Sequence, residues 1–534
     1  MKTDKPFPIN EGQLHWSTDP LRTNANLYAL FASRFPQDMA ACCIETHTGQ
    51  YYSWQDLDRA TAKIANLLSS LNLPKDSRIA VQVEKSPEAL MLYLAIVRAG
   101  YIYLPLNTAY RATEIDYFLG NAEPAVVVCS PENFGWVAQC AFRCGTMHVF
   151  TLGETRQGKN SGSLLERASH QADVFQTVEK QPDDLATILY TSGTTGRSKG
   201  AMLTHDNLAS NAKVLQDYWQ WRPGDVLLHA LPLFHIHGLY VASHCALLNG
   251  SKMIFLPKFD SADVIRHLPR STVFMGVPTY YVRLLADPSF NQDACRNMRL
   301  FVSGSAPLLI DTFNEFRRRT GHTILERYGM TETAMLASNP YDGKRIGGTV
   351  GLPLPEVSVR VVKENGAACA SEEIGDVQAK GPNVFKGYWR MAEKTAEEFT
   401  SDGYFKTGDV GKFDADGYLS IVGRSKDLII SGGYNVYPKE IELVIDEIDG
   451  VLESAVIGVP HPDYGEAVTA VIVAEPKTDL VEAEIIATLK TKIANFKIPK
   501  RIYFLPDLPR NAMGKVQKNV LRERFWLSER FENP

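Results

Sequence analysis

The stretch LYTSGTTGRSKGAM, residues 189–202, decides how the chain is read. Gly193, Gly196 and Gly200 let the backbone bend and expose N–H groups. The hydroxyls of Thr191, Ser192, Thr194 and Thr195 add donors, and Lys199 adds charge. Such a set suits a phosphate. Yet the stretch does not spell the common P-loop, because Lys199 follows Ser198 and precedes Gly200. A glycine-rich surface turn is the plainer alternative. DLATILY (184–190) reads as a buried strand and THDNLASNAKVLQDYW (204–219) as a helix with Leu208, Leu215 and Tyr218 on one side. The loop is therefore expected to join a strand to a helix.

Outward from it, apolar strands alternate with amphipathic helices. RIAVQV (78–83) and AVVVCS (125–130) read as strands, and Ser53 three residues before Asp56 reads as a capping box. The most apolar window, 89–106, is interrupted by Arg98, Gly100 and Pro105, so it reads as a buried helix and a strand, with no membrane span. The expected class is α/β, in layered sheets and helices. A second pattern starts after GRSKD (423–427): strands at DLIIS, LESAVIGV, AVTAVIVAE and RIYFLP, and helices at YPKEIELVIDEI and around 482–496. This predicts a large domain over 1–425 and a small mobile α+β domain over 426–534.

The chain has 534 residues, 45% hydrophobic and 22% charged, with a net charge of −5. That balance argues against nucleic acid as a partner. Eight scattered cysteines without a C-x-x-C pair fit a reducing, cytoplasmic setting. The N-terminus carries no apolar signal segment.

Three further segments hold candidate chemistry. ERYGMTET (326–333) puts a carboxylate and hydroxyls after an expected strand, HTILE. Asp409 is placed in a turn, where it could accept two ribose hydroxyls, with Arg424 just before the domain boundary. LPLFHIHGLYV (231–241) offers His235 and His237, and STVFMGVPTYYVRLL (271–285) places Arg283 in the first turns of a helix.

Together these segments resemble the adenylate-forming superfamily of acyl-CoA synthetases, luciferases and peptide-synthetase adenylation domains. YTSGTTGRSKG, LPLFHIHGL, SGSAPL, ERYGMTET, YFKTGD, GRSKDLIISGGYNVYPKEIE and PRNAMGKVQK stand in the superfamily's order along nearly the whole chain. The resemblance implies that the opening loop wraps the β- and γ-phosphates of ATP, which leave as pyrophosphate. It implies Thr331 at the α-phosphate and Glu332 on Mg²⁺. Asp409 would take the ribose, and Ser303, Gly304, Ser305, Ala306, Glu326, Arg327 and Tyr328 would line the adenine slot. Lys515 would reach in from the small domain, and Lys426 would be the hinge. Ser431, Gly432 and Gly433 would line the path of coenzyme A. The family's chemistry is carboxylate attack on ATP, then thiol capture of the acyl adenylate.

Several of the same segments, with KGPNVFKGYWRM (380–391), resemble malonyl-CoA synthetases. In that group an arginine matching Arg283 binds the distal carboxylate, as a forked guanidinium suits. His235, His237, Ser305 and Met330 would stand beside the acid. Malonate is the favoured substrate, with methylmalonate as a secondary one, since a methyl is worth only about 1–3 kcal/mol of discrimination. Another short- or medium-chain acid, or loading of a separate carrier protein, are the alternatives. A monomer or homodimer is expected.

Overall fold

The computed structural model describes residues 24–153, 162–191, 198–431, 434–461, 465–511 and 514–532. Two large sheets share one core. The seven-stranded sheet centres on the parallel strands Arg78–Gln82, Ile102–Pro105 and Val126–Cys129. The nine-stranded sheet centres on Val226–His229, Val273–Gly276, Leu300–Ser303 and Leu325–Met330, also parallel. The helix Pro87–Arg98 is apolar on nearly all sides and buried at eleven of its twelve positions, as a helix inside a core must be. It packs in one cluster with Val126 and Leu189 from the first sheet and Leu227, Val273 and Leu325 from the second. Arg98, at its C-terminal end, is buried but ion-paired to Asp58 at 3.0 Å.

The helix Trp54–Ser70 starts at the expected capping box, with both reciprocal bonds between Ser53 and Asp56 present. The glycine-rich stretch departs from expectation. It joins the strand Leu185–Thr191 to a second, antiparallel strand, Lys199–Thr204, and the helix His205–Tyr218 follows only then. The reason is local. Thr204 caps the helix through the Asn207 N–H, and residues before that cap complete the sheet instead, Ile188 facing Met202 and Leu189 facing Ala201. Residues 192–197 lie outside the described residues. Two other expectations change as well. Asp409 lies within a strand, Phe405–Phe413, because it is paired in register with Arg424 of the strand Leu419–Arg424. The expected strand HTILE is shifted forward to Leu325–Met330, which carries Glu326, Arg327 and Tyr328 inside it.

From Ile429 onward a separate five-stranded sheet has its own core. Its central strand, Gly465–Ala474, turns Val468, Ala470 and Ile472 to one cluster and Val471 and Val473 to another, the two-residue period of a sheet covered on both faces. The helix Lys518–Glu532, not read from the sequence, covers the second face with Leu521 and Phe525. A single 3-10 turn, Ser425–Asp427, connects this unit to the preceding four-stranded sheet. No helix among the described residues is long and apolar enough to cross a membrane.

The histidine-bearing segment is a π-helix, His237–Ser243, a form that concentrates at functional sites. Its entry is tight: a Cβ on Gly238 would stand 2.0 Å from the Pro232 carbonyl oxygen. Substituting Gly238→Ala is expected to displace this turn at a cost of about 1–3 kcal/mol. A lowered thermal midpoint is the expected result; an unchanged midpoint would show that the turn yields freely.

Candidate active site

Lys199 and Glu332 are 133 positions apart in sequence, and one tyrosine joins them. The Lys199 ammonium lies 4.2 Å from the centroid of the Tyr388 ring and 3.4 Å from a Glu398 carboxylate oxygen. The Tyr388 hydroxyl donates to Glu332 Oε1 at 2.9 Å. Glu332 is only 5% exposed, and burial raises its carboxyl above the usual range. Thr191 sits opposite Lys199 in the hairpin register. The sequence signals named Lys199 and Glu332 but not Tyr388 or Glu398, whose partners are distant in the chain. Ser192, Gly193, Thr194, Thr195 and Gly196 lie outside the described residues. No cluster of three metal-ligating side chains occurs among the described residues. A single buried carboxylate fits Mg²⁺, which commonly takes one or two protein oxygens and fills its shell from phosphates and water.

Asp409 stands at the centre of the second group. It is 3% exposed. Arg424 Nε lies 2.8 Å from its Oδ1, and the Tyr328 hydroxyl donates to its Oδ2. Desolvation lowers the Lys515 pKa, Arg424 lowers it further, and Asp409 raises it. Its side chain nonetheless keeps an open solvent face. The loop that carries it meets the large domain directly. Gly514, at φ +73°, is so close to Thr279 that a Cβ there would be 3.3 Å from its Oγ1. Thr331 is half-buried in the turn after Met330. Lys426 is exposed in the connecting 3-10 turn.

The SGSAPL loop closes the group from the other side. Ser305 holds a left-handed backbone at φ +73°, a conformation that costs a non-glycine residue about 1–2 kcal/mol. Ser303 Oγ is buried without a partner. The Glu326 carboxyl accepts the Leu308 N–H at 3.1 Å through Oε1, and Oε2 is buried without a partner. Burial pushes this carboxyl up to about 8. Ala306 beside them is half-buried.

The histidines form a third group. The His237 N–H donates to His235 Nδ1 at 3.2 Å, and Ser305 Oγ is 3.4 Å from His237 Nδ1. Burial, then the charge of Arg327, lowers His235 to about 4 and His237 well below its ordinary value. Both are neutral at physiological pH. Met330 is half-buried at the end of its strand. Arg283 is exposed on the helix Pro278–Leu285 and makes no ion pair with a described residue. It lies one turn beyond Thr279, so it shares the helix face that Gly514 approaches. Tyr280, stacked on Phe259 at 3.9 Å, feels its charge. Of the residues expected along the coenzyme A path, Ser431 is buried at the end of its strand; Gly432 and Gly433 lie outside the described residues.

Residues 29–389 match the model of the AMP-binding enzyme family, and residues 440–515 match that of the AMP-binding enzyme C-terminal domain. The chain is 37% identical to a malonate–CoA ligase of Arabidopsis thaliana over 480 residues, 84% of this chain and 78% of that one. It is 54% identical to MatB from Rhodopseudomonas palustris, over 94% of this chain and 99% of that one. The ATP-bound crystal structure of MatB superposes with a TM-score of 0.91 and the apo structure with 0.81.

Glu326 makes a testable mark on stability. Its carboxyl gains a proton on folding between the ordinary glutamate range and about 8. Its contribution is therefore fully present below the unfolded pKa and is lost as pH rises through about 8. Relative to Glu326→Gln, the native chain should lose thermal stability as pH rises from about 5 to about 8. A constant difference between the two across that interval would mean that Glu326 is not held protonated.

Proposed function

Because the chain belongs to the AMP-binding enzyme family, we propose that it is an ATP-dependent ligase that joins malonate to coenzyme A through a malonyl adenylate, releasing AMP and pyrophosphate. It is an AMP-forming acyl-CoA ligase that uses a small carboxylic acid, ATP, coenzyme A and Mg²⁺. The observation that carries malonate is the 37% identity to a malonate–CoA ligase over 84% of the chain. Arg283 supports it: an exposed, uncommitted guanidinium on the helix wall suits a second carboxylate better than an apolar tail.

The assigned chemistry follows from charge. A carboxylate and a triphosphate repel each other, so positive groups must offset that repulsion where the α-phosphoryl transition state forms. Lys199 stands by the β- and γ-phosphates and is released from Glu398 when they bind. Thr331 and Lys515 face the α-phosphate, and Lys515 also orients the attacking carboxylate. Asp409, fixed by Arg424 and Tyr328, accepts the ribose hydroxyls. Glu332 would hold Mg²⁺, which supplies charge neutralisation to the leaving pyrophosphate. Ser303, Gly304, Ser305, Ala306, Glu326 and Tyr328 form the adenine slot. His235, His237, Ser305 and Met330 border the acid beside Arg283. The thiol must then replace Lys515 at the adenylate, which requires the 426–534 domain to turn against the 1–425 domain about Lys426. Ser431, Gly432 and Gly433 then line the thiol's path. The contact of Gly514 with Thr279, and the higher TM-score to ATP-bound than to apo MatB, favour the adenylating orientation here. Methylmalonate is proposed as a second substrate. The enzyme is read as a cytoplasmic monomer or homodimer.

Lys515→Ala should abolish malonate-dependent exchange of pyrophosphate into ATP, yet largely spare acyl-CoA formation from supplied malonyl adenylate. Equal loss of both half-reactions would remove Lys515 from the role given it. Arg283→Ala should raise the KM for malonate by about tenfold or more, the loss of a charge-assisted pair, with little change for ATP. A variant that kept its malonate KM would place the distal carboxylate elsewhere.

A further inference from the structure

The strand Leu325–Met330 separates two environments. Ile324, just before it, belongs to the apolar cluster that holds Tyr281, Phe301 and Phe316, whereas Leu325 belongs to the one that holds Leu239 and Tyr240 of the π-helix. Side chains alternate along a strand, so Glu326 and Tyr328 share the side of Ile324, and Arg327 shares that of Leu325. The contacts agree. Tyr328 reaches Asp409 and Glu326 takes the Leu308 N–H, while the charge of Arg327 acts on His235 and His237. Arg327, which the motif alone assigns to the adenine slot, thus leaves the strand on the opposite side from Tyr328, where its charge acts on the histidines as well as on Tyr281.

Its surroundings are unusual for an arginine. The side chain is 3% exposed, and Nε and Nη2 are buried without a partner. The guanidinium lies flat against Gly304, where a Cβ would stand 2.4 Å from its Cζ. Its sequence neighbour Glu326 directs Oε1 to the Leu308 N–H on the other side of the strand, and burial raises its carboxyl. No ion pair to Arg327 occurs among the described residues. A buried cation left uncompensated costs several kcal/mol, and both nearby histidines are neutral. A ligand carboxylate on this side of the strand would supply a negative charge to this guanidinium.

We infer that Arg327 is a specificity-determining residue, whose buried charge beneath the histidine pair favours an acid bearing a second carboxylate over one bearing an apolar tail. It acts through its field and through the histidines it faces, and complements Arg283 at the exposed side of the pocket. This inference rests on the diacid reading of the site.

The test is the ratio of kcat/KM for malonate to that for butyrate, in the full-length enzyme with ATP, Mg²⁺ and coenzyme A. The native ratio examines the diacid reading: a preference for butyrate overturns that reading and this inference with it. Given a native preference for malonate, Arg327→Gln should lower the ratio by about tenfold or more, and Arg327→Lys should restore most of it. A scaffold role would lower both acids in proportion, and an unchanged ratio in Arg327→Gln overturns the inference. Should that variant not fold, Gly304→Ala provides the same readout, since its Cβ pushes the guanidinium aside while leaving the charge in the chain. A fall in the ratio again supports the inference, and an unchanged ratio overturns it.

Discussion

Asp409 is a carboxylate taken out of water and kept there by two partners. Arg424 neutralises it across the register of two adjacent strands, and Tyr328 reaches it from a different sheet. That single constraint links three parts of the molecule. It ties the nine-stranded sheet, through Leu325–Met330, to the four-stranded sheet, and through Arg424 to the 3-10 turn that leads into the C-terminal unit. The charges of the same pair are felt at Lys515. A buried charge stripped of its partner is worth several kcal/mol of penalty, so the nine-stranded and four-stranded sheets cannot drift apart around it.

Around this anchor the molecule holds several groups in states that stability alone would not select. Ser305 sits in a left-handed backbone, Glu326 is pushed up to about 8, Ser303 Oγ has no partner, and Arg327 keeps two buried donors unused. Groups of this kind cluster where binding sites are pre-organised, and the rest of the fold supplies the compensation. Here that compensation is plain: a helix buried on nearly all sides at the junction of two sheets, and a C-terminal sheet covered on both faces. The walls of the site belong to those layers, and the loop carrying Lys515 belongs to the separate C-terminal unit.

Much of this was legible in the sequence. The strands Arg78–Gln82 and Val126–Cys129, the capping box at Ser53 and the C-terminal α+β pattern follow from periodicity and capping chemistry. What failed did so for nameable reasons. GAMLT lacks the alternation that marks a strand, so the second arm of the hairpin was missed; only pairing with Ile188 and Leu189 makes it one. Asp409 looked like a turn residue because Asp and Gly favour turns, but the pairing with Arg424 overrides that preference. Tyr388, Glu398 and Thr279 carry no local signal, since their partners are between 56 and 235 positions away. The side on which Arg327 lies depends on where the strand begins, which sequence reading placed several residues too early.

The central claim is that a malonate carboxylate attacks the α-phosphorus of ATP and that a thiol later displaces AMP from the carbonyl. The most direct measurement turns over malonate carrying ¹⁸O in its carboxylates and weighs the products. The carboxylate oxygen that forms the bond to phosphorus stays on phosphorus when the carbonyl–oxygen bond breaks. AMP should therefore acquire one ¹⁸O per malonyl-CoA formed, and pyrophosphate none. Unlabelled AMP, or label in any phosphate released from the β- or γ-position, would contradict the account.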